Sequence, residues 1–384
     1  MSLTILGLGT ALPRHPFAQG DAAEVIRSFF CETDEQRRLL PILFRRAGVR
    51  QRHSVLAERP AADGPIQSFY PPASGPADRG PTTAQRMDVY RKESSPLALQ
   101  AARQALDQAG ILPRDLTQII TVSCTGFTAP GLDIALIKNL DLKPTIPRLH
   151  VGFMGCHGVF NALQAAAAVA AAEPHSRVLI CAVELSSLHL HYGWDPESIV
   201  PHALFADGAA ALIGVGSRGF PASAAHERSD GPRPASGACE RPGTPWQATA
   251  FGSCLFPDSE HAMTWNIGDN GFVMTLSADV PDLIAGDLRP WLEGWLRRND
   301  LQIRDVPSWA VHPGGPRILT AVAEGLDLPQ ETLADSQAVL AECGNMSSPT
   351  ILFILERLQR RNAPRPCVAL SFGPGLIAEA AIFR

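Results

Sequence analysis

The segment HVGFMGCHGVF, residues 150–160, decides the fold of this chain. It lies between a strand predicted to end near Phe153 and a helix predicted to begin near Val159, so Cys156 is placed at a strand-to-helix turn. Unpaired N–H groups and the dipole of a helix N-terminus favour the thiolate form of a cysteine. The glycines around Cys156 allow a sharp turn and leave room for an acyl group. They reverse the usual expectation that a free cysteine is a small buried hydrophobe.

Helices and apolar strands alternate on both sides of this turn. Upstream of the turn, SPLALQAARQALDQAG is predicted to be a helix and LTQIITVSCTG a strand. Downstream of it, RVLICAVEL is predicted to be a strand. Nearer the C-terminus, DLIAGDLRPWLEGWLRRN is helical, VPSWAVH is a strand, SPTILFILERLQRR is an amphipathic helix, and CVALSFGPGLIAEAAIF is two strands joined at Pro374 and Gly375. The alternation predicts a layered α/β fold with crossover connections. No internal repeat is visible in the letters.

Two stretches rich in Pro, Gly, Ser and Ala have no periodic apolar face. They run from about Ala57 to Gly80 and from Ser217 to Pro245, and both are predicted to be surface insertions. The second is the predicted boundary between two halves, residues 1–225 and residues 226–384. It also contains Cys239, which has no companion cysteine nearby.

Composition narrows the class of protein. Of 384 residues, 45% are hydrophobic and 18% are charged, which is enough for a large core. A net charge of -5 gives no general reason to bind nucleic acid or an anionic membrane. The longest apolar run, residues 162–172, is shorter than the roughly 20 residues that span a bilayer, and the N-terminus has no basic leader. Eight cysteines without a CxxC pair are typical of a reducing cytoplasm.

Two residues are candidates for the partners that a nucleophilic cysteine needs. His312 ends the strand-like SWAV and enters HPGGPRIL, a rigid turn that we expect to present the imidazole at a strand edge rather than bury it. Asn345 lies in a polar turn before an apolar helix, so its amide can face a cavity. The ordinary alternatives are a satisfied histidine and a helix-capping asparagine, although Ser347 or Ser348 could cap that helix equally well.

Four motifs together resemble the type III polyketide synthases of the chalcone synthase superfamily. They are LFADGAAALIGVG, HPGGPRIL, GNMSSPTILFIL and SFGPG, and the resemblance extends over nearly the whole chain. It implies a thiolase-like layered αβαβα fold made of two similar halves, the first carrying the cysteine and the second the histidine and asparagine. It also implies a homodimer, no metal and no cofactor, with an acyl-CoA starter and malonyl-CoA as substrates.

The resemblance gives the three candidates their roles. Cys156 carries the starter and then the growing chain, while His312 and Asn345 hold the thioester carbonyl of malonyl-CoA as carbon dioxide leaves. Fixed donors of this kind stabilise a developing enolate oxygen without a metal. A decarboxylative Claisen condensation is therefore expected, followed by cyclisation to a pyrone, resorcinol or phloroglucinol type of product.

The resemblance also implies a set of cavity residues. Phe205 is in the position of a gatekeeper between the coenzyme A passage and the cavity, with a core-filling aromatic as the alternative. Gly373, Pro374 and Gly375 resemble the loop that shapes the cyclisation cavity, and a plain hairpin turn is the alternative. The other implied cavity positions are Cys124, Thr125, Ser186, His189, Trp265, Met274 and Ser347.

Coenzyme A contacts are implied at Arg46, Gly314 and Arg317. Two other positions that are basic in the family are Leu39 and Ile42 here, which puts the detailed contacts in doubt. Each arginine could instead be a solvated surface charge.

Other departures from the plant enzymes indicate a bacterial type of enzyme without chalcone specificity. Cys124 stands where plant members carry a small hydroxyl residue, and it could line the cavity or be a buried strand cysteine. His189 and His191 could be read as a metal pair on alternate strand positions, but no third ligand is evident and the family uses no metal.

Two other functions share some of these features. A β-ketoacyl synthase III-like enzyme with a single condensation also uses Cys, His and Asn, although HPGGP and GNMSS favour the polyketide group. A catalytically silent thiolase-like scaffold is the second, and an intact set of Cys156, His312 and Asn345 argues against it.

Overall fold

The computed structural model describes residues 2–60, 62, 66–216 and 245–384. The predicted boundary near residue 225, Cys239 and most of the second insertion lie outside the described residues. The strands are β1 (Leu3–Ala11), β2 (Pro16–Ala18), β3 (Gln51–His53), β4 (Gln118–Ser123), β5 (Arg148–Gly152), β6 (Arg177–Leu185), β7 (Asp207–Gly216), β8 (Gln247–Leu255), β9 (Met263–Gly268), β10 (Gly271–Leu276), β11 (Ser308–Val311), β12 (Cys367–Gly373) and β13 (Ile377–Phe383). The α-helices are α1 (Gln19–Phe30), α2 (Asp34–Arg46), α3 (Thr83–Ala109), α4 (Leu132–Asn139), α5 (Gly158–Ala172), α6 (Pro196–Leu204), α7 (Val280–Arg297), α8 (Pro316–Leu326), α9 (Ala334–Cys343) and α10 (Thr350–Arg360).

A mixed nine-stranded sheet has the order β11-β12-β13-β8-β1-β7-β6-β4-β5. From β1 outwards, the neighbours β7, β6 and β4 run antiparallel, antiparallel and parallel to the preceding strand. From β8 outwards, β13, β12 and β11 repeat the same pattern. Strands β1 and β8 join the two sets through only two residue pairs, Leu3 with Ala248 and Thr4 with Gln247. Although no repeat is visible in the letters, the strand topology is duplicated.

Alternating side chains divide the core into layers. In β6, Leu179 and Cys181 belong to the cluster that contains α1 and α3, whereas Val178 and Ile180 belong to the cluster that contains α5 and α10. Strand β12 alternates in the same way between α5 and α10 on one face and α7 and α8 on the other. The order is therefore helices, sheet, helices, sheet, helices, as the predicted αβαβα fold requires. In the described part of the chain, no helix is long and apolar enough to cross a membrane.

Helices α5 and α10 form the middle layer. Helix α10 is amphipathic, as the sequence predicts, although residues 350–355 of its first turns are all buried. Both faces of this part of the helix pack against other elements of the core, so apolar side chains are needed all round it and not only along one stripe. Charged residues follow only afterwards, such as Arg357 and Arg360 in the last turn.

Helix α3 is longer than the sequence predicts. It begins at Thr83 rather than near Ser95, because the Thr82 hydroxyl accepts a hydrogen bond from Gln85 N (3.3 Å) and caps the helix. It also lies very close to β1. A Cβ placed on Gly9 would be 2.1 Å from the carbonyl oxygen of Ala101, so only glycine allows this approach.

The first predicted insertion is only partly a surface feature. Ile66 and Tyr70 are 8% and 2% exposed. The Tyr70 ring packs against Phe29 (5.4 Å between centroids) and Tyr192 (6.4 Å). The prediction was wrong for these residues because their apolar contacts come from α1 and from the loop before α6.

Candidate active site

Cys156 lies in a short 3-10 helix, Gly155–His157, between β5 and α5. Gly155 has φ +69°, and a Cβ there would be 2.3 Å from Cδ of Pro374. Glycine therefore lets the loop after β12 reach the nucleophile. Strand β12 also contacts the nucleophile directly, because Ser371 Oγ donates a hydrogen bond to the carbonyl oxygen of Cys156 (3.1 Å).

The Cys156 thiol holds its proton in the resting site. Burial raises its pKa to about 12, against the opposing effects of a hydrogen bond from Ser347 and of its own backbone N–H, while the charge of Glu184 raises it further. Desolvation of the buried thiol thus outweighs the effect of the helix N-terminus, which was expected to favour the thiolate form. Nucleophilic attack by Cys156 needs a base.

His312 directly follows β11. Its backbone N donates to Leu370 O (2.8 Å), and Gly314 N donates to His312 O (3.0 Å), which fixes the turn. The prediction that the imidazole is presented at the edge rather than buried was wrong: the residue is 1% exposed, because side chains of α6, α8 and β10 enclose it in a cavity. Neither ring nitrogen has a hydrogen-bonding partner among the described residues.

Burial also keeps His312 uncharged. The pKa of the imidazole is lowered to about 3, mainly by burial and to a lesser extent by the nearby His157. A neutral imidazole has one bare nitrogen and one N–H. It can therefore accept a proton from a thiol and can donate to a carbonyl oxygen.

Asn345 lies between α9 and α10 and is held from three sides. Its N–H donates to Leu204 O (2.9 Å), its carbonyl oxygen accepts from Ala206 N (2.9 Å), and its Oδ1 accepts from Ser347 N (2.8 Å). These bonds fix the side-chain oxygen, and Asn345 lines the same cavity as Cys156 and His312. The Nδ2 group of such a fixed amide is a donor that suits an anionic oxygen.

Two adjoining cavities meet at the nucleophile. Cys156, His312 and Asn345 all line the first, which we call the small cavity. The second, the large cavity, holds about 1100 Å³ of space free of protein atoms, part of it open to solvent. Residues that line both are Cys156, Pro201, Phe205 and Met274. Of the other predicted cavity residues, those lining the large cavity are Cys124, Thr125, Ser186, His189, Trp265, Ser347 and Pro374.

Phe205 lies at the junction of the two cavities. It directly follows α6, its backbone forms a bridge with Asn345, and its carbonyl oxygen accepts from Arg52 (3.0 Å). The phenyl ring is therefore part of the wall between the cavities rather than of the central core.

The glycines of the predicted cyclisation loop line neither cavity in the described structure. A Cβ on Gly373 would be 2.2 Å from the His157 ring, so its missing side chain leaves room for His157 rather than for a substrate. Gly375 has φ +80° and donates its N–H to Met263 O (2.8 Å). Pro374 is the residue of this loop that borders the large cavity, and the role of the loop in cyclisation stays a prediction.

Glu184 is a site residue that the sequence reading missed. Fully buried at the end of β6, its carboxylate accepts hydrogen bonds from Cys124 N (3.0 Å), from Thr125 N (3.1 Å) and Oγ1 (2.7 Å), and from Ser348 Oγ (2.8 Å). It joins the loop after β4 to the turn before α10. The signal was the acidic residue near the end of the otherwise apolar run VLICAVEL, residues 178–185.

Of the candidate coenzyme A residues, Gly314 lines the small cavity, whereas Arg46 and Arg317 are exposed at the end of α2 and the start of α8. The segment after α2 packs against the start of α8, because a Cβ on Gly48 would be 2.8 Å from Cγ of Pro316.

His189 and His191 do not lie on alternate strand positions, contrary to the metal-pair reading. His189 ends the 3-10 helix Ser186–His189, and its Nε2 donates to Thr125 O (2.8 Å) while its Nδ1 accepts from Phe272 N (2.9 Å). His191 Nε2 bonds to Phe272 O (3.0 Å). Both rings thus hold backbone groups in place.

Comparison with known proteins agrees with this geometry. Residues 2–218 match the family model of the N-terminal domain of chalcone and stilbene synthases, and residues 249–384 match that of the C-terminal domain. The chain is 33% identical over 385 residues to 1,3,6,8-tetrahydroxynaphthalene synthase of Streptomyces peucetius subsp. caesius, covering 99% of this chain and 93% of the relative. It is 32% identical over 383 residues to the alpha-pyrone synthesis polyketide synthase-like Pks18 of Mycobacterium tuberculosis, covering 99% and 90%.

Solved structures are similar over the whole chain. PKS-I of the brown alga Ectocarpus siliculosus superposes with a TM-score of 0.86 at 31% identity, covering 100% of this chain and 98% of that one. The 1,3,6,8-tetrahydroxynaphthalene synthase of Streptomyces coelicolor A3(2), a bacterial type III polyketide synthase, gives 0.81 at 27% identity, covering 99% and 98%. The chain therefore belongs to the chalcone and stilbene synthase family and is a type III polyketide synthase.

Proposed function

We propose that this enzyme condenses malonyl-CoA onto an acyl-CoA starter held as a thioester on Cys156. The observation that supports the proposal is the meeting of three side chains in the small cavity: a protonated thiol, a neutral imidazole without partners among the described residues, and the amide of Asn345. The family matches do not favour a β-ketoacyl synthase III-like enzyme.

In the loading step, His312 takes the thiol proton and Cys156 Sγ bonds to the acyl carbon of the starter. The bond from that carbon to the coenzyme A sulfur breaks, and the proton passes from His312 to this leaving sulfur. Because both side chains begin uncharged, the ion pair exists only during the transfer, in a buried site where charges interact strongly.

In the extension step, the bond between the methylene carbon and the carboxylate of malonyl-CoA breaks and carbon dioxide leaves. The electron pair forms an enolate, whose oxygen accepts from His312 and from Asn345 Nδ2. The methylene carbon then bonds to the acyl carbon on Cys156, and the bond to sulfur breaks, which releases the Cys156 thiolate and leaves the extended chain on coenzyme A. For another round, this thiolate bonds to the thioester carbon of the extended chain, and coenzyme A leaves with a proton from the solvent. Repeated steps and cyclisation would give a pyrone, resorcinol or phloroglucinol type of product, without a metal or cofactor.

Further parts of the proposal concern the surroundings of the site. Gly314, Arg46 and Arg317 would contact coenzyme A; in support, Gly314 lines the small cavity, and both arginines are exposed on elements next to it in the chain or packed nearby, α8 and the end of α2. The enzyme would act as a homodimer in the cytoplasm. Support for the dimer is the outer edge of β5, which pairs with no described strand.

Mass spectrometry of the intact protein after exposure to an acyl-CoA tests the central claim. We expect a stable acyl adduct on the wild type and its loss in Cys156→Ala, with product formation reduced by about 10³-fold or more. Cys343→Ala is the matched control, because Cys343 is partly exposed on α9 and borders neither cavity. Normal thioester turnover by Cys156→Ala would rule out this nucleophile.

A further inference from the structure

The wall of the large cavity has two chemically different parts. Around Cys156 the wall carries the hydroxyl groups of Thr125, Ser186 and Ser347. Another part, which we call the α1 end, does not border the small cavity. It is built from apolar side chains of β2, of α1 and of the segment after β3, namely Phe17, Ala22, Val25, Ile26, Leu56 and Ile66.

Polar side chains near the α1 end already have partners inside the protein. Arg52 donates to Gln19 Oε1 (2.9 Å) and to the carbonyl oxygen of His202 (2.9 Å). His202 Nε2 accepts from His191 N (3.1 Å), and Tyr70 Oη donates to Ser187 O (3.0 Å). A polar ligand would have to compete with these bonds, whereas an apolar ligand leaves them intact.

The part of the wall that Trp265, His189 and Phe272 form is held in place by hydrogen bonds and ring contacts. Trp265 Nε1 donates to Cys124 O (2.8 Å), and both nitrogens of His189 are bonded to backbone groups. The His189 ring stacks on Phe272 with 4.3 Å between centroids and meets Trp265 edge-on at 5.5 Å. Enlarging the cavity on this side would break several buried hydrogen bonds. The room for a long substituent is therefore at the α1 end.

We propose that the α1 end binds the alkyl tail of the starter, so that the starter is an apolar acyl thioester with a medium to long chain. This inference rests on the proposed function, since the acyl carbonyl must lie at Cys156 while the tail extends away from the small cavity. Each methylene group buried there strengthens binding by about fourfold, until the end of the cavity is reached.

Kinetics with hexanoyl-, decanoyl- and tetradecanoyl-CoA, each with malonyl-CoA, test the proposal. We expect kcat/KM of the wild type to rise with chain length. Ala22→Phe places a ring in the α1 end, and we expect it to lower kcat/KM for tetradecanoyl-CoA by about tenfold or more while changing that for hexanoyl-CoA by less than about twofold. Glu24→Phe, which adds the same ring on the exposed side of α1, is the control. Val25→Trp is a second blocking variant in case Ala22→Phe does not fold.

Binding separates this proposal from the proposed function. Calorimetric titration of Cys156→Ala with the three thioesters reports on the tail site without any chemistry. An affinity that rises with chain length, and that falls back in Cys156→Ala/Ala22→Phe, supports the tail site even if no condensation is detected. A preference of the wild type for hexanoyl-CoA, or a chain-length profile that neither blocking variant changes, would overturn it while leaving the condensation proposal standing.

Discussion

His312 illustrates how a single residue can be costly for folding and suited to chemistry. Leaving a buried polar group unpaired costs roughly 1–3 kcal/mol of folding free energy. The imidazole has two unpaired nitrogens among the described residues and is 1% exposed. Native proteins tolerate such groups mainly where they have a function. The absence of partners leaves both nitrogens available, one to receive the proton of Cys156 and one to donate to a carbonyl oxygen.

The stability of the protein should respond to pH through His312. Its pKa is about 3 in the folded chain, against 6.5 for an unperturbed histidine, so only the unfolded chain binds a proton as the pH falls below 6.5. The free energy of unfolding therefore decreases between pH 6.5 and 3. At about pH 5, His312 should account for a loss of about 2 kcal/mol relative to about pH 7.5.

Urea denaturation of the wild type and of His312→Gln at the two pH values measures this loss. We expect the wild type to lose about 2 kcal/mol more than the variant on acidification. His189 and His202, whose pKa values are also about 3, shift stability in the same direction, and Asp207, whose pKa is raised to about 6, opposes them. All three are present in both proteins, so their contributions cancel. Identical pH dependence in the two proteins would contradict the assignment.

The position of reactive residues at turns was easier to predict from the sequence than the burial and contacts of their side chains. The glycines around Cys156 and the HPGGP turn indicated where reactive side chains are placed, because turn chemistry is local. The burial of His312 and the role of Glu184 depend on elements distant in sequence, which no local pattern reports. The roles of the individual site residues stay predictions until the variants are measured.

At the scale of elements, the close contact between β1 and α3 depends on glycine. Gly9→Ala would place a methyl group 2.1 Å from a backbone oxygen of α3. Since neither backbone can move without disturbing the sheet, we expect a loss of about 3 kcal/mol in the free energy of unfolding.

Gly20→Ala is the matched control for Gly9→Ala. Gly20 lies in the first turn of α1, and nothing is within 4 Å of a Cβ placed there. The same substitution should therefore stabilise the protein by up to about 1 kcal/mol through the unfolded state. Equal urea midpoints for the two variants would show that α3 does not depend on the glycine of β1.

The elements that the sequence misread share one cause. The placement of Tyr70 in a surface insertion and the late start predicted for α3 rest on local periodicity and composition. Their burial or extent is decided instead by contacts with other elements, such as the packing of Tyr70 on Phe29. Periodicity identified the existence and type of the long elements, since an apolar pattern at the right period persists over many residues.

For the whole molecule, the repeated strand order explains where the site lies. The nucleophile precedes α5, Asn345 precedes α10, and both helices form the middle layer between the two parts of the sheet. His312 follows β11, whose counterpart in the first half is β4. Related positions of a duplicated fold thus bring three side chains, distant in sequence, into one cavity. A resemblance over the whole chain could predict this convergence, whereas composition alone could not.

The outer edge of β5 indicates how two copies would associate. This strand is at one end of the described sheet and pairs only with β4. Leu149 in the strand and Phe127 nearby are each 41% exposed, and Met154 is 38% exposed. An unpaired edge with apolar side chains is a template for another strand. Pairing with the same strand of a second copy about a two-fold axis would satisfy the backbone groups and cover the apolar side chains of both copies at once.

Leu149→Glu tests this arrangement. Because of the two-fold axis, the interface would contain the new carboxylate of both copies, and each carboxylate would be buried without a partner of opposite charge. We expect the wild type to have the mass of a dimer by light scattering and the variant that of a monomer. Leu112→Glu makes the same change at a residue that is 51% exposed in the loop between α3 and β4, and should stay dimeric. A monomeric wild type, or a dimer that survives Leu149→Glu, would mean that β5 is not where the copies meet.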